Sequence, residues 1–155
     1  MFMSPTSSNS AMRSLSVVTK PEVGIQMAQA LLEAARTKAE QMGLVISAAV
    51  VDCGGQLGAA FRMDGAQICA MPLAIDKAYT AVACGLPTSA WANRTQPGGS
   101  DWGLNTALGG RLIAFAGGVP LISESFLVGA IGVSGAAAAQ DDVIAKAAVE
   151  SIGLK

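Results

Sequence analysis

Histidine is absent from the 155-residue sequence, and its absence excludes more chemistry than any residue present suggests. Ser-His-Asp and Cys-His nucleophilic relays, histidine-ligated metals and a haem on a proximal histidine all need an imidazole. General acid–base work then falls to Asp, Glu, Lys, a perturbed cysteine or Tyr79, the sole tyrosine. Charge is scarce as well, at 14% of residues, with ten basic and eleven acidic side chains. No basic stripe is available to displace counterions from a phosphate backbone, and no polybasic segment marks a membrane anchor. Nucleic acid and membrane are therefore not expected partners. Apolar stretches are broken by glycine before they reach the 18 residues that a spanning helix needs. Cys53, Cys69 and Cys84 make neither a CxxC nor a zinc spacing, so no metal site is expected. Their odd number argues against a disulfide framework, and they read as small buried hydrophobes of a reduced, cytoplasmic protein.

What is present is apolar. At 52% hydrophobic residues the chain can build a sizeable core, and its length suits one domain. That much apolar surface is hard to hide in one small globule, which predicts a homo-oligomer. Residues 1–19 are rich in Ser and Thr and lack an apolar signal-peptide core, so they are expected to form a flexible tail. Residues 20–155 form the single domain.

Periodicity gives the elements. Ile25, Ala28, Leu32, Ala35 and Ala39 recur at helical spacing, predicting a helix from about Pro21 to Met42, stopped by Gly43. Leu44–Val51 and Gln56–Met63 are short runs joined by Cys53-Gly54-Gly55, a hairpin pattern. A second helical pattern ends at Gly85, with Pro72 in its first turn. The segment from Leu86 to Gly110 is irregular, polar and glycine-rich, and a loop of that length is usually functional or an interface element. Gly118–Ile122 and Phe126–Val133 make a second hairpin around Ser123-Glu124-Ser125, and a closing helix ends at Gly153. The order α-β-β-α-loop-β-β-α predicts an α+β domain with helices packed on antiparallel hairpins. The stretch "VGAIGVSG" spaces its glycines three apart and is followed by no P-loop lysine, so it is no nucleotide loop. Gly129 and Gly132 are expected instead where another backbone approaches closely.

Four motifs in order, "VVDCGGQLGAAFRMDGA" (50–66), "AIDKAYTA" (74–81), "AGGVPL" (116–121) and "VGAIGVSG" (128–135), resemble the GlcG/HbpS-like (DUF336) family. That family includes the C-terminal domain of PduO-type proteins. The resemblance covers roughly residues 20–153. It implies a profilin-like or PAS-like fold with a five-stranded antiparallel sheet flanked by helices, often assembled into oligomers. It also implies links to haem or its degradation products, to corrinoid metabolism, and to glycolate or diol breakdown. The lack of histidine departs from relatives that ligate haem through one. Haem would have to be held by Tyr79, Met63 or Met71, by a hydroxyl, or through its propionates on Arg or Lys.

The candidate site follows from charges and glycines in otherwise apolar surroundings. Arg62 and Asp64 flank a strand end beside Gly65, where Arg62 suits a carboxylate or pairs with Asp64. Lys77 lies in an apolar helix with Tyr79 and Thr80. Partial burial would lower its pKa and make it a base or a clamp. Gly117 and Gly118 before Pro120 present backbone N–H groups that suit an oxygen-rich ligand or a plain strand entry. Arg94 in the long loop covers a pocket or is a surface charge, and Ser134 donates to a ligand or caps the last helix. Trp91 and Trp102 stack on a planar ligand or fill an interface. The leading expectation is an oligomeric domain binding a haem-like or small anionic ligand of a catabolic or biosynthetic pathway. The pocket would lie between the Lys77 helix and the turns at 62–65 and 117–120. The alternative is an enzyme of isomerase or lyase type acting on a small hydroxy, keto or ring-derived acid. Lys77 and Asp64 would then move a proton while Arg62 clamps a carboxylate.

Overall fold

Two hairpins laid side by side form the sheet of the computed structural model, which describes residues 18–154. The expected tail therefore falls almost wholly outside the described residues. In chain order the elements are α1 (Ile25–Gln41), β1 (Ser47–Asp52), β2 (Leu57–Arg62), α2 (Ala70–Cys84), β3 (Gly118–Ser123), β4 (Phe126–Ser134) and α3 (Ala138–Ser151). The long connection between α2 and β3 carries only short 3-10 turns at Thr88–Trp91 and Leu104–Gly110.

The strand order is β2-β1-β4-β3, all antiparallel, so each hairpin keeps its own partner and β1 pairs with β4 to join them. The sheet has four strands among the described residues, not the five implied by the resemblance. The remaining apolar run, Leu112–Gly117, does not add a strand, because the Ile113 N–H donates to the Thr80 hydroxyl at 2.9 Å rather than to a neighbouring strand. Residues 18–23 form no helix or strand and are tied to the sheet by a backbone bond from Val23 N–H to Val128 O at 2.8 Å. That bond also explains why α1 starts at Ile25 instead of Pro21.

The central strand is buried on both sides: Ala48, Ala49, Val50 and Val51 are wholly inaccessible. On one face α1 and α3 pack through Leu31, Ala35, Ile144 and Ala148 against Ala48, Val50, Ile131 and Val133. On the other, α2 packs Ala78, Ala81 and Val82 against Val51 and Ala130. Each fully buried Val, Leu or Ile contributes about 1.5–3 kcal/mol of transfer free energy. Small residues set the close spacing of α2 on the sheet. A Cβ on Gly132 would run into the Ala74 carbonyl oxygen, as expected for a glycine that serves packing.

The hairpin turn at Glu124-Ser125 has both residues at positive φ, 47° and 74°, the pattern that usually carries Asn-Gly. Gly85 ends α2 in the left-handed conformation, φ 65°, where a side chain would be strained.

Candidate functional site

Lys77 and Tyr79 are two residues apart on α2, about 200° around the helix axis, and so face opposite ways. The inner one is closed. Lys77 is fully buried, and its Nζ donates to the Val133 carbonyl oxygen and to Asp141 Oδ2, each at 2.8 Å. Asp141 lies in the first turn of α3, on the other side of the sheet, and its Oδ1 accepts the Ala136 N–H at 3.0 Å. The lysine thus passes the end of β3 to tie α2 to α3.

Two glycines leave it room to pass. A Cβ on Gly117 would lie 2.7 Å from Lys77 Nζ and 3.0 Å from Asp141 Cβ. A Cβ on Gly118 would meet the Lys77 carbonyl oxygen and would stand 2.6 Å from Thr88 Cγ2. Two polar groups of these glycines are committed too. Gly118 N–H donates to Thr88 Oγ1 at 2.9 Å, and the Gly117 carbonyl accepts Val133 N–H at 2.8 Å. The turn at 117–118 is a passage for a side chain, with the Gly118 amide already taken.

Burial pushes the Lys77 ammonium below the usual lysine range, and the Asp141 carboxylate opposes that shift. Burial likewise pushes the Asp141 carboxyl up, opposed by Lys77 and by the amides of Ala136 and Gly135. Both shifts record the cost of taking charge out of water, partly offset by the pairing. A general base needs a free lone pair and a route to substrate. Lys77 has no exposed surface, and the Phe115 ring centroid stands 5.0 Å from its nitrogen.

The outer side of α2 is open. The Arg111 guanidinium stacks on the Tyr79 ring at 3.6 Å from its centroid and reaches Asp76 Oδ1 at 3.1 Å. Gly55 closes on the ring edge, where a Cβ would lie 2.8 Å from Tyr79 Cδ2. Thr80 is the brace for this cluster. Its hydroxyl donates to Asp76 O at 2.7 Å and accepts Ile113 N–H at 2.9 Å, pinning the segment that carries Arg111. The Tyr79 hydroxyl itself makes no hydrogen bond among the described residues and is not among the buried orphaned atoms. Ile75, Tyr79 and Ala83 follow at four-residue spacing on one helix face, and Leu86, 39% exposed, comes just past the helix end at Gly85.

The other expected residues are scattered around this helix. Arg62 and Asp64 are exposed and line a groove of about 440 Å³ between α1 and β2, with Arg36, Glu40, Phe61 and Met63. They form no ion pair with each other among the described residues. Asp64 and Lys77 therefore do not meet in one pocket. Arg94 is an internal brace of the loop: it stacks on Trp91 at 4.4 Å and bonds Asp101 Oδ2 at 2.7 Å. Pro120 lines an apolar groove of about 350 Å³ between β3 and α3, with Pro87, Val119, Ile122, Val149 and Leu154. Ser134 is the buried last residue of β4, and α3 takes Ala137 as its N-cap instead. Trp91 is buried, whereas Trp102 is 64% exposed.

Two residues at the centre of this geometry, Asp141 and Arg111, were not among those expected. Asp141 carried a signal: it shares the apolar face of Ile144, Ala145 and Ala148, and a charge there demands a partner. For Arg111 the sequence offers none, since its partner Tyr79 is 32 positions away.

Comparison with known proteins gives consistent matches. Residues 23–150 match the family of haem-degrading, HbpS-like proteins. The corrinoid adenosyltransferase PduO of Citrobacter freundii is 34% identical over 125 residues, which are 81% of this chain and 37% of that protein. The chain thus spans little more than a third of that relative. A solved complex of PduOC with haem superposes with a TM-score of 0.84 at 31% identity, covering 86% of this chain and 97% of that one. A double mutant of HbpS from Streptomyces reticuli superposes with a TM-score of 0.83 at 30% identity, covering 96% and 99%.

Proposed function

We propose, since the chain belongs to the family of haem-degrading, HbpS-like proteins, that it is a binding domain for haem or a close tetrapyrrole relative. It would work as a homo-oligomer in the cytoplasm. The observation that carries this reading is the likeness to PduOC, a relative solved with haem, over nearly all of that domain. The surface is compatible with it. A flat, largely apolar ring with two carboxylates calls for exposed apolar side chains and nearby cations. The chain exposes Leu86, Trp102, Leu108 and Phe115 in or beside the long connection. Arg62 lines an exposed groove and has no ion-pair partner among the described residues, and Arg111 lies on the outer side of α2. The same exposed apolar residues supply a subunit interface, and a shared site between copies reconciles a bulky ligand with grooves of only 290–540 Å³ on one chain.

The proton-transfer reading loses its base, because both strong acceptors of the Lys77 ammonium are internal. Of the expected residues, Arg62 and Tyr79 remain ligand-facing in this proposal. Lys77, Thr80, Gly117 and Gly118 hold the frame. Titrating ferric haemin into the purified protein tests the reading. A Soret band that saturates at a fixed stoichiometry is expected, and a spectrum identical to that of free haemin throughout would overturn it.

A further inference from the structure

We infer that the Tyr79 hydroxyl oxygen is the protein's own ligand to haem iron, with Arg111 as the residue that positions it. This rests on the haem reading above and goes further by naming the donor. Imidazole, thiolate, thioether and phenolate are the common protein ligands to haem iron. The chain has no histidine and one tyrosine. Three of the sulfur donors are engaged or mismatched. Met63 is half-buried and its Sδ accepts the Ile46 N–H at 3.4 Å, and Cys53 Sγ faces the Glu22 carboxylate at 3.8 Å. Burial raises the Cys84 thiol, which disfavours the thiolate that iron needs.

Tyr79 differs from all of these. Its ring is held on one face by the Arg111 guanidinium at 3.6 Å and at its edge by Gly55. Its oxygen has no hydrogen-bond partner among the described residues and is outside the buried set. A donor whose ring is fixed and whose oxygen is uncommitted is pre-organised for a metal. Arg111 is fixed in turn by Asp76 and by the Thr80 brace on its own segment. Ile75 and Ala83, on the helix face of Tyr79, give the ring system a surface to lie on beside the oxygen. On binding ferric iron the phenol releases its proton to water, and the oxygen–iron bond forms without any redox change.

Visible absorption and resonance Raman spectra of the ferric haemin complex test the assignment. The native protein is expected to show a phenolate-to-iron charge-transfer band. Tyr79→Phe is expected to lose that band, and Tyr79→His to replace it with a histidine-ligated spectrum. Arg111→Ala is expected to keep the band while affinity falls roughly tenfold, the usual scale for a residue that orients a ligand. Far-ultraviolet circular dichroism reports that each variant is folded. If native protein and Tyr79→Phe bind haemin with the same spectrum and affinity, the assignment is wrong and the haem reading stands. If native protein gives no Soret shift, the haem reading falls and the assignment with it.

Discussion

The two sides of α2 divide the polar residues of one motif between opposite tasks. On the inner side Lys77 is wholly buried, doubly hydrogen-bonded and paired across the sheet, with two glycines shaped around it. On the outer side Tyr79 is half-buried and stacked, and its oxygen has no partner among the described residues. A cluster with every group satisfied supports the fold and has nothing left for a ligand. A cluster that is rigid yet unsatisfied at one atom adds little to stability and keeps that atom for binding. The contrast predicts that inner substitutions change stability first and outer ones change haem spectra first.

The largest effect is expected for Lys77→Ala. It strands the Asp141 carboxylate in the interior, and removing one member of a buried pair costs about 3–5 kcal/mol. Denaturant unfolding measures it, and a loss below about 1 kcal/mol would mean that water reaches Asp141 and the inner side is not closed. Next comes Gly118→Ala. The new methyl meets the Lys77 carbonyl and Thr88, and overpacking of this kind costs about 1–3 kcal/mol. A folded Gly118→Ala variant is expected to retain the native Soret maximum.

A double variant, Lys77→Met with Asp141→Asn, sharpens the comparison further. It removes both charges and keeps an acceptor for Ala136 N–H, so its stability at neutral pH is expected within about 1 kcal/mol of native. The pH dependence is more telling. Asp141 has its folded pKa raised, so between 3.8 and that raised value the native state binds more protons than the unfolded one. Native stability relative to the double variant therefore falls as pH rises through that window. Lys77 has its folded pKa lowered, so between the lowered value and 10.5 the unfolded chain binds more protons, and relative stability rises with pH there. The native protein should compare least well with the double variant at intermediate pH. A difference that is flat from acid to alkaline pH would contradict this.

Much of this division was legible in the sequence, and what was missing has a physical pattern. Helix stops at Gly43 and Gly85, both hairpins and the packing role of Gly132 follow from local rules about turns and periods. Lys77 stood out because a charge in an apolar helix must be satisfied somehow. Its partner did not, because Asp141 is 64 positions away and reaches Lys77 only through the β3–β4 geometry. Gly117 and Gly118 were visible as special but ambiguous: room for a ligand and room for a lysine require the same missing side chain. Thr80 was expected to touch ligand, yet its hydroxyl bonds internally because it lies one residue from Tyr79 on the inner flank of that helix face. Four strands rather than five follow from where the Ile113 amide goes, which no local pattern reveals.

The smallest effects are expected on the outer side, and they separate binding from support most cleanly. Arg111→Ala removes an exposed cation–π contact and a half-exposed ion pair, together about 0.5–1 kcal/mol. Tyr79→Phe removes a hydroxyl with no partner among the described residues and is expected to change stability by less than about 0.5 kcal/mol. Urea unfolding of both, beside their haemin spectra, is the measurement. Large destabilisation with unaltered spectra would make the outer cluster another brace of the long connection, like Arg94 on Trp91. Near-native stability with an altered spectrum would leave the one tyrosine of a histidine-free chain with a chemical role and no structural one.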